Sequence, residues 1–459
     1  MSPDLSPIPP DRDLSITDNS VTPMFKPGYL SVLGGPTEES LAREWVIING
    51  RDWRFDPVMK SYFHWTGALW KRDEQNLAFH LIGQHMCAAG TPKAPLGKAS
   101  MARGMDAFVQ ANPSLSIAHH NWDRDPFLLG TPGGTVDLKT GQIRESDQGD
   151  FMTRSTSVAP AKGKPDRWLQ FIDECTAGDD ELARFLQRVL GYCLTSSTRE
   201  HALFFAYGAG KNGKSVFLNT ASRIFGNYAT TAAMDTFVTS PGDKHPTELA
   251  RLDGARLVAA SETEEGRKWA EARIKLITGG DPIAARYMRQ DFFEFLPRFK
   301  LFIVGNHQPV LHNVDEATRR RFNIIPFPHV PPNPDLELEA KLEAEHPQIL
   351  AWMIDGAVDW CANGLGRPDA VKKATEDYFE AQDLTGQWIE ERCRVWPGAL
   401  GRPKELFEDW RRFANENGEP DGTQKALAQV LGKRGFYPIR TSQGRFWRGV
   451  ELLAARPAA

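Results

Sequence analysis

No stretch of this chain is apolar for long enough to span a membrane. Apolar runs such as 203–207 and 301–304, and the longest in the chain at six residues, fall far short of the ~20 residues that a spanning helix needs. Cysteine is scarce. The five cysteines (Cys87, Cys175, Cys193, Cys361 and Cys393) are odd in number and form no CxxC pair, which argues against a disulfide framework and a structural zinc site. The adjacent His119 and His120 have no further Cys or His at ligand spacing, and read as a loop ahead of Trp122. An excess of one charge is missing too: 55 Lys and Arg against 59 Asp and Glu leave −4, so any nucleic-acid surface must be local. The opening MSPDLSPIPPDRD lacks the basic start and apolar core of a secretory signal. Together with the cysteine usage, this predicts a cytoplasmic protein with no membrane partner.

What is present is ordinary for a globular protein: 41% apolar and 25% charged residues over a length that suits about three domains. Residues 1–38, rich in Pro, Ser, Asp and Thr, predict a disordered arm. Residues 39–200 mix helical and strand patterns. In this stretch Trp53, Trp65 and Trp70 suit the core of a small sheet better than a base-stacking platform. Between 201 and 330, short β-branched or aromatic runs alternate with helical segments, the pattern of an α/β layer. Five prolines between Pro326 and Pro334 mark an exit. Helical periodicity then fills 331–398, including a helix expected over Ala370–Val395. Residues 399–459 read as helix, turn, helix and hairpin, the order of a winged helix.

The strongest motif is Gly208-Ala209-Gly210-Lys211-Asn212-Gly213-Lys214-Ser215, a complete GxxxxGK[ST] between an apolar run and an amphipathic segment. Its glycines let backbone N–H groups converge on phosphate oxygens at the positive end of a helix. Lys214 would neutralise the outer phosphates, and the Ser215 hydroxyl would hold Mg²⁺. Down the chain, the apolar strand Ala255–Ala260 ends in Ser261 and Glu262, with Glu264 and Glu265 close behind. A carboxylate there suits a metal contact or a water-polarising base, although a charged loop after a buried strand is also common. A second apolar strand ends in Asn306, whose amide can bond a γ-phosphate and the attacking water. Arg319, Arg320 and Arg321 follow, as a helix end or as the source of an arginine finger for a neighbouring subunit.

In this order GAGKNGKS, RLVAASETEEGRK, LITGGDPIAARYMRQDFFEF, FKLFIVGNHQPVL and DEATRRRFNIIPF resemble the superfamily 3 helicase core. The closer similarity is to the helicase half of phage and plasmid primases, the group that includes poxvirus-type primase-helicases. The resemblance covers about His201–Phe327. The region from Trp53, with DLKTGQI and ARFLQRVLGYCLT, looks like the helical domain that precedes the ATPase in that family.

It implies a P-loop AAA+-like α/β core, preceded by a mostly helical α+β domain and followed by the winged helix. ATP and Mg²⁺ are the implied cofactors. Lys214 and Ser215 become nucleotide and metal contacts, Glu262 the Walker B acid that shares the Mg²⁺, Asn306 the sensor, and Arg320 or Arg321 the finger acting in trans. Gly280–Phe295 corresponds to a β-hairpin that tracks single-stranded DNA, carrying Arg286, Tyr287 and Arg289. The chain departs from the family with Glu262-Thr263-Glu264 in place of adjacent acids, and with Arg319 where relatives often have Trp.

The implied function is a replicative helicase of a phage, prophage or plasmid, working in the bacterial cytoplasm on single-stranded or forked DNA. It would act as a ring, expected to be a hexamer. The one DxD spelling in the first 60 residues, Asp11-Arg12-Asp13, falls in the expected arm, so no primase activity is expected here and a separate primase becomes a candidate partner. Competing readings are a ring ATPase that remodels protein or packages DNA, and an origin-binding module with a vestigial ATPase. At the far end, residues 422–450 hold six basic residues (Lys425, Lys433, Arg434, Arg440, Arg445 and Arg448) and no acidic one, with Phe436, Tyr437, Phe446 and Trp447 interleaved. That clustering favours a DNA contact over docking on the chain's own core; Lys433, Arg434, Arg445 and Arg448 are its candidates.

Overall fold

A computed structural model describes residues 36–91, 96–239, 247–262 (the Glu262 side chain excepted), 267–288, 291–311, 315–417 and 422–453. The expected arm lies outside the described residues up to position 35. At its expected end, Thr37 and Glu38 are instead the cap and first residue of a helix that opens on a capping box. The Thr37 hydroxyl accepts from the Ser40 N–H at 3.1 Å, and Ser40 Oγ accepts from the Thr37 N–H at 3.0 Å, which starts helix α1 (Glu38–Asn49).

The first module pairs α1 with an antiparallel sheet of β1 (Trp53–Asp56), β2 (Ser61–Trp65) and β3 (Trp70–Arg72), followed by α2 (Leu77–Ala89) and α3 (Ala99–Gln110). Trp53 and Trp70 are buried and Trp65 half-buried, so this cluster is core and no open stacking platform. A second antiparallel sheet, β4 (Leu128–Thr131), β5 (Gly134–Asp137) and β6 (Gln142–Arg144), leads to α4 (Asp166–Thr176) and α5 (Asp180–Leu194). The carboxylate of Glu345, far along the chain, caps α4 by accepting from the Arg167 and Trp168 N–H groups at 2.9 Å each.

The central module runs β7 (Leu203–Tyr207), α6 (Lys214–Phe225), β8 (Ala229–Thr231), α7 (Thr247–Ala250), β9 (Leu257–Glu262) and α8 (Glu271–Gly279). It continues through β10 (Ile283–Ala285), β11 (Phe293–Phe295), β12 (Lys300–Gly305), α9 (Glu316–Arg319) and β13 (Phe322–Pro326). Five of these strands form a parallel sheet in the order β13-β7-β12-β9-β8. Its apolar runs follow from burial on both faces. Along β7, Phe204 and Ala206 join the core shared with α4, α5 and α6, while Leu203 and Phe205 join the opposite one with Trp269 and Ile274.

At the strands' N-terminal ends, two buried cations tie α5 to the sheet. Arg256 donates to Leu194 O at 2.6 Å and Leu128 O at 2.7 Å, and Lys300 donates to Thr195 O.

Helices α10 (Leu338–Ala344), α11 (His346–Asn363) and α12 (Asp369–Gln382) follow. Helix α11 crosses α5 where Gly191 meets Gly356 and Ala357. A Cβ on Gly191 would come within 2.1 Å of the Ala357 nitrogen, so the close crossing requires glycine. The single helix expected over Ala370–Val395 is instead α12, α13 (Leu384–Arg392) and the start of strand β14 (Cys393–Gly401). Asp383 makes the break, closing α12 and accepting from the Gly386 N–H at 3.0 Å.

Strand β14 straddles the expected boundary at 398. It joins α14 (Pro403–Glu416), α15 (Gln424–Lys433), β15 (Tyr437–Thr441) and β16 (Gly444–Leu452) in a final module whose sheet order is β14-β16-β15. Among the described residues no helix is long and apolar enough to cross a membrane.

Candidate active site

The glycine-rich segment joins β7 directly to α6. Lys211 at φ +66° and Gly213 at φ +86° turn the backbone through left-handed conformations. A Cβ on Gly213 would stand 2.7 Å from Cys175 Sγ and 2.9 Å from the Phe171 ring, so the loop is pressed onto α4. Asn212 is buried and its Nδ2 donates to Phe327 O at 2.8 Å, tying the loop to the exit of β13. Lys214 is only 5% exposed, and its Nζ donates to Gly208 O (2.8 Å), Ala209 O (3.1 Å) and Asn212 Oδ1 (2.7 Å). Burial lowers its pKa from the ordinary lysine value. Ala209, Gly210, Lys211 and Ser215 are exposed, while Gly208 is partly covered. The N-terminal amides of a 12-residue helix therefore face an open position beside a desolvated ammonium, an arrangement suited to a polyphosphate.

Sheet register decides what stands next to this loop. Gly305 pairs with Tyr207 on one side and with Glu262 on the other. Asn306, exposed, leaves the sheet beside the loop. With strands about 4.8 Å apart, the Glu262 backbone lies roughly 10 Å from that of Tyr207, across one intervening strand. Lys214, Ser215, Glu262 and Asn306 thus share one edge of the sheet; Thr263, Glu264 and Glu265 lie outside the described residues. Among the described residues no three His, Cys, Asp or Glu side chains form a metal cluster. A hydroxyl and a carboxylate position at this edge fit Mg²⁺ held jointly with phosphate oxygens.

The arginines lie at the other edge and differ from one another. Arg321 is 8% exposed; its Nε donates to Thr278 Oγ1 at 3.0 Å and its Nη1 to Ala317 O. Its guanidinium is committed inside the subunit. Arg319 lies over the Phe379 ring at 5.1 Å, whereas Arg320 is exposed at the C-cap of α9. Of the two expected finger positions, only Arg320 is placed to reach another molecule.

Strands β10 and β11 pair antiparallel, Ile283 to Phe295 and Ala285 to Phe293, so the expected hairpin exists. Arg289 lies outside the described residues. Tyr287 points inward: its ring stacks on Phe293 at 5.4 Å and its hydroxyl donates to Ala250 O at 3.2 Å. Arg286 lies 4.8 Å over the Phe292 ring. Phe292 at 62% and Met288 at 74% exposure are the apolar side chains the hairpin presents, and sequence reasoning passed over both.

In the C-terminal module, Arg434 pairs with Asp383 at the start of α13, and Arg448 Nε donates to Pro397 O at 3.1 Å. Phe446 and Trp447 are buried in the module's core and so offer no stacking surface. Lys425, Lys433, Arg440 and Arg445 are exposed, as is Tyr437.

Fold and register together define a mixed α/β protein with a parallel sheet and a glycine-rich loop at its edge. Residues 39–177 match the family model described as D5 N terminal like, and residues 206–321 match one described as Family of unknown function (DUF5906). Frog virus 3 "Putative helicase 022R" is 26% identical over 333 residues, covering 65% of this chain and 33% of the relative. Acanthamoeba polyphaga mimivirus "Putative helicase L207/L206" is 26% identical over 215 residues, covering 45% and 22%. The chain thus spans a third or less of the length of these relatives. The apo structure of the NrS-1 C terminal region shares the fold, with a TM-score of 0.53 at 12% identity over 92% of this chain and all of that one. The chain is therefore similar, over these stretches, to the D5-like, poxvirus-type primase-helicases.

Proposed function

We propose that this protein is an ATP-dependent DNA helicase acting as a ring, expected to be a hexamer, in the replication of a phage, prophage or plasmid. One observation carries the proposal: the glycine-rich loop, the end of β9 and the end of β12 converge on one edge of the sheet, in register through Gly305.

Lys214 would exchange its three loop oxygens for the β and γ phosphates of ATP. Ser215 and Glu262 would hold Mg²⁺, which when bound supplies positive charge against the phosphates. Glu262 would orient or deprotonate the attacking water, and Asn306 would bond both that water and the γ-phosphate. Arg320 would complete the site from the adjoining subunit, leaving Arg321 to hold α9 in place. Loss of the γ-phosphate would then shift the hairpin along a single strand, with Arg286 and the exposed Phe292 and Met288 against the polynucleotide. The exposed cations of the C-terminal module supply a further, salt-sensitive contact.

The test measures DNA-stimulated ATP turnover and strand displacement on a forked duplex, for the wild type and Lys214→Ala. Both activities are expected in the wild type and neither in the variant. Turnover without displacement would favour a remodelling or packaging ring, and equally poor turnover with equal DNA binding would favour an origin-binding module.

A further inference from the structure

The segment 119–123, which follows α3, joins the first module to the central one through specific contacts. His119 Nδ1 lies 2.7 Å from Asp56 Oδ2 of β1, and its Nε2 lies 3.0 Å from Asp253 Oδ2, in the turn before β9. A neutral imidazole has one N–H, so a ring between two carboxylates donates from both nitrogens only as the cation. Asp56 is fully buried and also accepts from Trp122 Nε1 at 3.0 Å. From the central module, Arg298 Nη1 reaches back to Trp122 O at 2.9 Å and Asp123 O at 2.8 Å. The His119 ring meets Phe293 of the hairpin edge-on, with centroids 6.3 Å apart.

Arg298 stands between the hairpin strand β11 and β12, the strand that leads into Asn306. Asp253 precedes β9, the strand that ends at Glu262. The 119–123 segment therefore grips the N-terminal ends of the two strands whose C-terminal ends stand at the candidate nucleotide site, and the root of the hairpin as well. Beside this grip opens a cleft of about 1610 Å³, walled by the β2–β3 turn, by Lys71, Arg72 and Glu74, and by Glu294 of the hairpin. Its volume exceeds the roughly 300–1,000 Å³ of a small-ligand pocket, and its lining mixes both signs of charge, which suits a seam between moving parts better than a phosphate groove.

Resting on the helicase proposal above, we infer that His119 and Arg298 are positioning residues that fasten the first module to the hairpin, so that the two shift together with each ATP hydrolysed. Without the grip, hydrolysis continues but the hairpin's displacement is no longer fixed relative to the rest of the subunit, and fewer base pairs open per ATP.

The test compares the full chain with His119→Gln, Asp253→Asn and Arg298→Lys; Asp253→Asn keeps the side-chain shape should Arg298→Lys fold poorly. Base pairs opened per ATP are expected to fall about fivefold, the size of a coupling of ~1 kcal/mol, while DNA-stimulated hydrolysis stays within about twofold of wild type. Amide exchange at 293–295 is expected to quicken in all three variants. Unchanged exchange together with unchanged base pairs per ATP would overturn the inference while leaving the helicase proposal standing. A wild-type chain that neither hydrolyses ATP nor opens forks would overturn that proposal, and this inference with it.

Discussion

Arg320 and Arg321 are neighbours in sequence with opposite expected roles, and replacing each by alanine separates them. Arg321 loses two charge-assisted hydrogen bonds, to Thr278 Oγ1 and Ala317 O, along with the packing of a buried stem. At about 1.5 kcal/mol or more per bond, the loss comes to about 3 kcal/mol. In a module of this size that lowers the melting temperature by roughly 6–12 °C. Arg320 is exposed, so Arg320→Ala should change stability by no more than about 0.5 kcal/mol while ATP turnover falls on the order of a thousandfold, as for a lost arginine finger.

Mixing subunits then tests whose arginine acts. In an equal, random mixture of Lys214→Ala and Arg320→Ala chains, about one seam in four joins an intact Lys214 to an intact Arg320 from the next chain, so about a quarter of wild-type turnover should return. Scanning calorimetry and a coupled ATP assay measure both quantities. An Arg321→Ala protein that melts with the wild type would refute the assignment of Arg321, and a mixture as inactive as its components would refute the shared seam.

Two further outcomes are expected. The bonds from Asp253 and Asp56 raise the His119 pKa to about 9 from its ordinary 6.5, so the stability they confer is full below pH 6.5 and lost as pH rises through about 9. Denaturation midpoints across pH 6 to 10 should fall at the alkaline end in the wild type and run flatter in His119→Gln; parallel profiles would count against the charged bridge. In the C-terminal module, Lys433→Ala and Arg445→Ala should each lower the slope of log affinity against log salt by about 1 for single-stranded DNA, whereas Arg434→Ala should chiefly loosen the contact with Asp383. Equal effects of all three on DNA affinity would contradict that division.

Features set by local chemistry were open to the sequence. The apolar runs at 203–207 and 300–305 carry the buried parallel strands, and GAGKNGKS carries the loop between strand and helix. Each depends on residues within a few positions of one another, where period and turn chemistry act directly. Contacts made across long separations were closed to it. Cys393–Val395 continue a helical pattern yet pair as a strand with Val450–Leu452, because a partner strand far along the chain outweighs local propensity. Arg320 and Arg321 are indistinguishable as letters, and only the packing of α8 against α9 buries one guanidinium and leaves the other outside. His119 reads as a loop histidine until the fold brings Asp56 and Asp253 to its two nitrogens. The residue types at the candidate site were legible in the sequence; which charges face inward, and which strand ends stand side by side, was decided by sheet register and burial, quantities that exist only once the chain has closed on itself.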